Sequence, residues 1–209
     1  MSQYFEMHPE NPQPRLVRRA VEILRDGGLI AYPTDSCYAL GCCLGNKEAV
    51  ERIRRIRRMD KDHVFTLVCR DLSEIATYAR VDNTRYRLLR SLTPGPYTFI
   101  LPASHEVPRR LVSPKRRTIG IRVPDSAIVR SLLQELGEPI MSTTLILPGS
   151  DLPLTEPKII RERLERLVDL VVDGGVCFHE PTTVLDLRDD QPVLLRQGRG
   201  VVDFLELAS

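Results

Sequence analysis

The residues with the clearest chemical potential are hydroxyls and arginines placed where strands are expected to end: Thr34 with Asp35, Thr66, Thr98, Arg122, Ser142 to Thr144, Thr182 with Thr183, and Arg196. Hydroxyls satisfy phosphate or carboxylate oxygens, and a guanidinium neutralises their charge through a fixed fork of N–H donors. Together they form the lining that a polyanionic ligand needs. Taken singly, each Thr is an ordinary strand residue, so only the set points to a site.

Other chemistries are poorly supplied. Cys37 sits beside the Pro33-Thr34-Asp35-Ser36 loop, where a nucleophile belongs, but no base is identifiable near it and a packed thiol is the better reading. The histidines His8, His63, His105 and His179 are scattered, and the five cysteines lack paired C-x-x-C spacing, so neither a metal centre nor a disulfide framework is expected. No G-x-x-x-x-G-K-[ST] or G-x-G-x-x-G run is present, which excludes an ordinary P-loop or dinucleotide enzyme. Two basic runs, Arg54 to Arg58 and Arg109 to Arg117, have no interleaved aromatics for base stacking. The second holds five cations in nine residues (Arg109, Arg110, Lys115, Arg116, Arg117), and is equally a mobile basic loop or a contact for RNA phosphates.

The elements that must carry these groups alternate. Pro12 and Pro14 can open a helix whose apolar residues from Leu16 to Leu24 recur at helical spacing until Gly27-Gly28, and Leu29 to Tyr32 is a short buried strand. A second helix spans Lys47 to Met59. At about 100° per residue, Arg54, Arg55 and Arg58 turn away from its apolar stripe, whereas Arg57 falls at the edge, where a cation can overlook a pocket. Strands are predicted over Phe65 to Cys69, Tyr97 to Leu101, Thr118 to Val123, Ile140 to Thr144 and Leu170 to Val172, and a hairpin pair over Val184 to Leu187 and Val193 to Arg196. Helices fall over Leu72 to Tyr78, Asn83 to Leu92, Ile128 to Leu136, capped by Asp125 or Ser126, and from Thr155 and Pro157 through Val168.

The totals agree with one layered α/β domain containing a mixed sheet, spanning residues 1–209 with a core near 14–200. Of 209 residues 42% are hydrophobic but only 5% aromatic, so the core rests on Leu, Ile and Val. A formal net charge of +2 makes any anion site local rather than a property of the whole surface. The polar N-terminus has no apolar signal core and no later stretch is long enough to span a bilayer, so a cytoplasmic protein without membrane contact is expected. Oligomeric state is not legible.

Five motifs in fixed order then become recognisable: Tyr32-Pro33-Thr34-Asp35-Ser36-Cys37-Tyr38-Ala39-Leu40-Gly41, Thr93-Pro94-Gly95-Pro96-Tyr97-Thr98, Thr118-Ile119-Gly120-Ile121-Arg122-Val123-Pro124, Pro181-Thr182-Thr183-Val184-Leu185-Asp186 and Arg196-Gln197-Gly198. Their order resembles the YrdC family from near residue 14 to near 200. The resemblance implies a strongly twisted mixed sheet flanked by helices around a concave basic cavity. It also implies synthesis of threonylcarbamoyl-adenylate from threonine, bicarbonate and ATP, with Mg²⁺ accompanying the triphosphate, in the route to modified tRNA, and an affinity for double-stranded RNA. By this resemblance Thr34, Asp35, Tyr38 and Arg122 line the amino-acid side, and Ser142, Thr144, Thr182 and Arg196 the nucleotide side. Thr66, by its strand-end position, joins the first set, and Arg57 joins the second.

Three departures from the synthase pattern resemble the YciO branch. Where synthases carry K-x-R the chain reads Arg57-Arg58-Met59, where they carry S-x-N it reads Thr144-Leu145-Ile146, and Ser126 replaces a frequent histidine. One cation and one amide are gone. Three readings follow: an altered adenylate-forming enzyme, a binding module for double-stranded RNA or tRNA without turnover, or a hydrolase of an acyl-adenylate.

Overall fold

A computed structural model of the chain describes residues 1–59, 65–108, 111–112, 117–189 and 191–203. Among them, ten strands form one mixed sheet. In chain order the strands are β1 (Gln3–Glu6), β2 (Ile30–Tyr32), β3 (Ala39–Cys43), β4 (Thr66–Val68), β5 (Tyr97–Pro102), β6 (Thr118–Arg122), β7 (Ile140–Thr144), β8 (Leu170–Asp173), β9 (Thr183–Asp186) and β10 (Val193–Arg196). Their spatial order is β1-β8-β2-β3-β7-β4-β6-β5-β9-β10. The centre is antiparallel, β2 with β3, β3 with β7 and β7 with β4, while β4 runs parallel to β6.

Six helices cover the sheet: α1 (Pro14–Arg25), α2 (Lys47–Arg57), α3 (Leu72–Tyr78), α4 (Asn83–Leu92), α5 (Ala127–Leu136) and α6 (Pro157–Leu164). Local chemistry sets their ends. Asn46, Asp71, Asp82 and Ser126 each accept a hydrogen bond from a first-turn N–H, satisfying a donor that helix geometry leaves free. Of the two caps foreseen for α5, Ser126 is the one that serves. Gly137 ends the same helix at φ 80°, a backbone region glycine enters without a Cβ penalty.

Alternation along the strands divides the core. One face buries Leu40, Leu67, Ile121 and Met141 against α2, α3, α4 and α6 through Ile53, Ile75, Leu89 and Ile160. The other face buries Ile30, Tyr32, Val68, Ile140 and Leu170 against α1 and α5 through Val21 and Leu132. The site lies over the carboxyl half of β7 and the neighbouring parts of β4, β5 and β9. No helix among the described residues is long and apolar enough to cross a membrane.

The structure corrects several expectations. Gln3–Glu6 is a strand, paired parallel with β8, although its residues look like a polar tail. As an edge strand it needs no continuous apolar run. Ala39–Cys43 is a central strand that the sequence hides, because small residues carry little strand signal. Gly41 is required there: a Cβ would fall 2.6 Å from the Tyr32 ring. The last helix ends at Leu164 rather than Val168. The N–H groups of Leu167 and Val168 both turn back to the Leu164 carbonyl, and Asp169 is drawn into register by bonds from its N–H to Leu29 O and from Leu29 N–H to its carboxylate. Arg54 is not simply solvated, since its guanidinium lies 5.1 Å over the Phe65 ring.

Candidate functional site

Strand register builds the floor. Thr66 lies opposite Ser142 on β7 and Gly120 on β6, and Gly120 lies opposite Ile100 on β5, so four strands contribute one row to the same face. Above this row is a cavity of about 230 Å³ lined by Thr66, Thr98, Ser142, Thr143, Thr144 and Thr182, three arginines (Arg57, Arg122, Arg196), and the Ser36-to-Ala39 segment with Ile100, Ile146 and Val184. A Cβ on Gly120 would approach the Thr66 hydroxyl to 3.1 Å, so the bare backbone leaves room over the floor.

Arg122 ends β6 and is almost fully buried, 7% exposed. Its Nη2 donates to Asp35 Oδ1 and more distantly, at 3.4 Å, to the Ser36 hydroxyl. Asp35 Oδ2 accepts from the Asp125 N–H at 2.9 Å, which occupies the second oxygen of that carboxylate. The Arg122 Nε is buried without a partner among the described residues. Such an orphaned donor forfeits its hydration with no return until something accepts from it.

Thr34 and Asp35, placed in the sequence reading on the amino-acid side, support the wall rather than line it. The Thr34 hydroxyl donates to Cys37 O at 2.7 Å and accepts from Ser36 N–H, closing the turn after β2. Tyr38 does line the cavity, but its hydroxyl donates to Gly175 O at 2.8 Å and accepts from Gly174 N–H, tying down the loop after β8. Burial pushes its phenol well above the usual range.

On the opposite side, Arg57 reaches in from the end of α2, as its position at the edge of the stripe suggested. Its Nε donates to Ile146 O at 3.1 Å and its Nη1 to Thr143 Oγ1 at 2.5 Å, and burial lowers its pKa. Ile146 thus contributes a carbonyl acceptor, although its side chain replaces the amide of the S-x-N triplet. Arg196 on β10 donates to Thr182 O at 3.2 and 2.9 Å and to Thr182 Oγ1 at 3.3 Å, and that hydroxyl shares a 2.8 Å bond with Thr98. Arg196 is exposed along its strand, but partial desolvation of its guanidinium lowers its pKa, and Arg122 lowers it further. Three guanidinium groups therefore face one small space. Ser142 is oriented from behind: Tyr32 donates to its hydroxyl at 2.7 Å, and the hydroxyl donates onward to Leu40 O.

Cys37 is a packed thiol. Its Sγ contacts Glu180 O at 3.2 Å, and burial pushes its pKa up to about 11. The described lining residues of this cavity include no carboxylate. Arg109, Arg110, Lys115 and Arg116, together with His63, lie outside the described residues. Arg117 is exposed, with its carbonyl accepting from Ala103 N–H. Thr143, Ile146 and Tyr32 escaped the choice of site residues. Thr143 belonged to the strand-end set, whereas a carbonyl acceptor and a hydroxyl reached across Gly41 leave no mark in sequence.

Comparison with known proteins gives a consistent picture. The family model Sua5/yciO/yrdC, described as telomere recombination, matches residues 22–198. YciO of Escherichia coli (strain K12) is 56% identical over 202 residues, covering 97% of this chain and 98% of its own, and the E. coli YciO crystal structure superposes with a TM-score of 0.94. A threonylcarbamoyl-AMP synthase of Vibrio vulnificus (strain YJ016) is 31% identical over 189 residues, covering 87% of this chain and 98% of the synthase. The structure of P. abyssi Sua5 complexed with L-threonine is 26% identical with a TM-score of 0.86, covering 94% of this chain and 58% of that one.

Proposed function

The chain belongs to the Sua5/YciO/YrdC family, and on that premise we propose that its cavity binds an amino-acid carboxylate beside a nucleotide and forms a threonylcarbamoyl-adenylate from threonine, bicarbonate and Mg-ATP. The observation that carries this reading is the unpartnered Nε of Arg122, a buried cationic donor held in place by Asp35 and ready for an oxyanion. Arg122 takes the α-carboxylate of the threonine, while Arg57, Arg196 and the hydroxyls of Thr143, Thr144 and Thr182 surround the phosphates.

The chemistry suits such a lining. The threonine amine condenses with bicarbonate, losing water, to a carbamate that is already an anionic nucleophile: its oxygen attacks the α-phosphorus, the bond from that phosphorus to the oxygen bridging to the β-phosphate breaks, and pyrophosphate departs with Mg²⁺. The step needs no protein base, only alignment and cations where charge develops. Asp35, with both oxygens engaged, is poorly placed to be one. The product would feed tRNA modification in the cytoplasm.

One observation favours a second reading. Met59 packs partly buried against the core where synthases carry an arginine, leaving the triphosphate clamp one cation short. A site that still holds the finished adenylate would then hydrolyse it. Purified protein given threonine, bicarbonate and Mg-ATP is expected to release pyrophosphate above a no-threonine control. Absence of release together with cleavage of supplied threonylcarbamoyl-AMP would replace synthesis by hydrolysis, and failure of both would remove the adenylate from the account.

A further inference from the structure

A second and larger cavity, about 560 Å³, opens at the carboxyl ends of the adjacent parallel strands β4 and β6, where Cys69 and Val123 leave the sheet. Ligands of α/β proteins commonly lie at such strand ends. Arg70, Arg90 and Arg130 line it, from the turn before α3, from α4 and from α5. Three like charges gathered around one space repel each other, and the arrangement gains most when an anion enters.

Acidic neighbours do not fill that role. Asp71 is the one carboxylate among the described lining residues. Its Oδ1 accepts from Glu74 N–H at 2.9 Å as the cap of α3, and its Oδ2 accepts from Arg70 Nε at 3.2 Å. Glu74 is turned to the Arg70 N–H at 2.6 Å. Asp125 takes only one Arg130 nitrogen, at 3.3 Å. All three arginines are exposed, and among the described residues the remaining donors of Arg70 and Arg130, with the guanidinium of Arg90, make no further hydrogen bond and are open to a ligand.

We infer that this cavity is a separate binding site for a phosphate group, held by Arg70, Arg90 and Arg130. Forked donors from three directions match the several oxygens of a phosphate better than the flat pair of a carboxylate. The site is not isolated from the first cavity: Arg130 holds Asp125, whose N–H holds Asp35, which holds Arg122.

Calorimetric titration with inorganic phosphate tests the assignment. Arg90→Glu is expected to weaken phosphate binding at least tenfold, and Arg90→Lys much less. Arg87→Glu, the same charge change at an exposed position of α4 away from the lining, should leave binding within twofold. Loss with Arg57→Ala but not Arg90→Glu would assign the phosphate to the first cavity and overturn the proposal. So would equal losses with Arg90→Glu and Arg87→Glu, or no phosphate binding by the parent protein. A short RNA duplex that displaces phosphate from the parent, with affinity lost in Arg90→Glu, identifies the phosphate as a nucleic-acid backbone. No displacement identifies it as a free phosphate or phosphomonoester.

Discussion

Arg122 and Asp35, separated by 87 positions in the chain, form an ion pair in which each side chain is 9% exposed. Burying two charges repays its desolvation only when both stay partnered. Asp35 meets this condition with both oxygens, whereas Arg122 keeps one donor unmatched. The pair is therefore a rigid mount for a hungry donor.

Breaking the mount is expected to be costly. Asp35→Ala leaves Arg122 charged, buried and unpaired, a change worth about 3–5 kcal/mol in stability. Urea denaturation should show the loss, and threonine binding should disappear with it. A variant that unfolds at the parental midpoint would mean that water reaches Arg122 freely.

Arg57 should matter to the ligand more than to the fold. Its two internal bonds end on a hydroxyl and a carbonyl at the cavity, so Arg57→Ala is expected to weaken nucleotide binding more than tenfold, while the melting temperature moves only slightly. Titration with AMP and differential scanning calorimetry separate the two effects. Equal loss of threonine affinity would contradict the division of the cavity into two sides.

Restoring the missing cation offers a gain rather than a loss. If a charge-assisted contact at position 59 contributes about 1.5–3 kcal/mol, Met59→Arg is expected to raise ATP affinity at least tenfold with little change for AMP. Comparing the two nucleotides by titration isolates the triphosphate. Unchanged ATP affinity would show that Arg57 already fills the role.

Alkaline pH provides a fourth expectation. Burial raises the Cys37 thiol from an ordinary 9.0 to about 11. Below pH 9 the thiol is protonated both folded and unfolded, so its contribution is flat. As pH rises toward 11 only the unfolded chain loses that proton, and stability falls. Urea midpoints measured across pH 8–10.5 should decline less steeply in Cys37→Ala, and identical slopes would refute the assignment.

Much of the arrangement was legible because it rests on local rules. Proline starts, Asx and Ser caps, and apolar spacing located the helices, and the hairpin of β9 and β10 followed from two strand signals joined by a short polar turn. The hidden parts depend on distant partners. Ala39–Cys43 becomes a strand because β2 and β7 flank it, and Gln3–Glu6 because β8 offers an open edge. Within the site, residue types revealed Arg57, Arg122 and Arg196. They did not reveal that Thr34 spends its hydroxyl on its own turn, nor that Ile146 serves through its carbonyl. Hydrogen-bond direction is a tertiary property.

The strand that carries Arg196 also lies at the rim of the sheet, bonded on one side only to β9, with all four of its residues exposed. Arg57 and Thr143 belong instead to a partly buried helix end and a central strand. The two walls of the cavity therefore run on different clocks. The amide hydrogens of the exposed edge strand β10 are expected to exchange before those of the central strand β7, so the Arg196 wall opens locally more readily than the wall that carries Thr143.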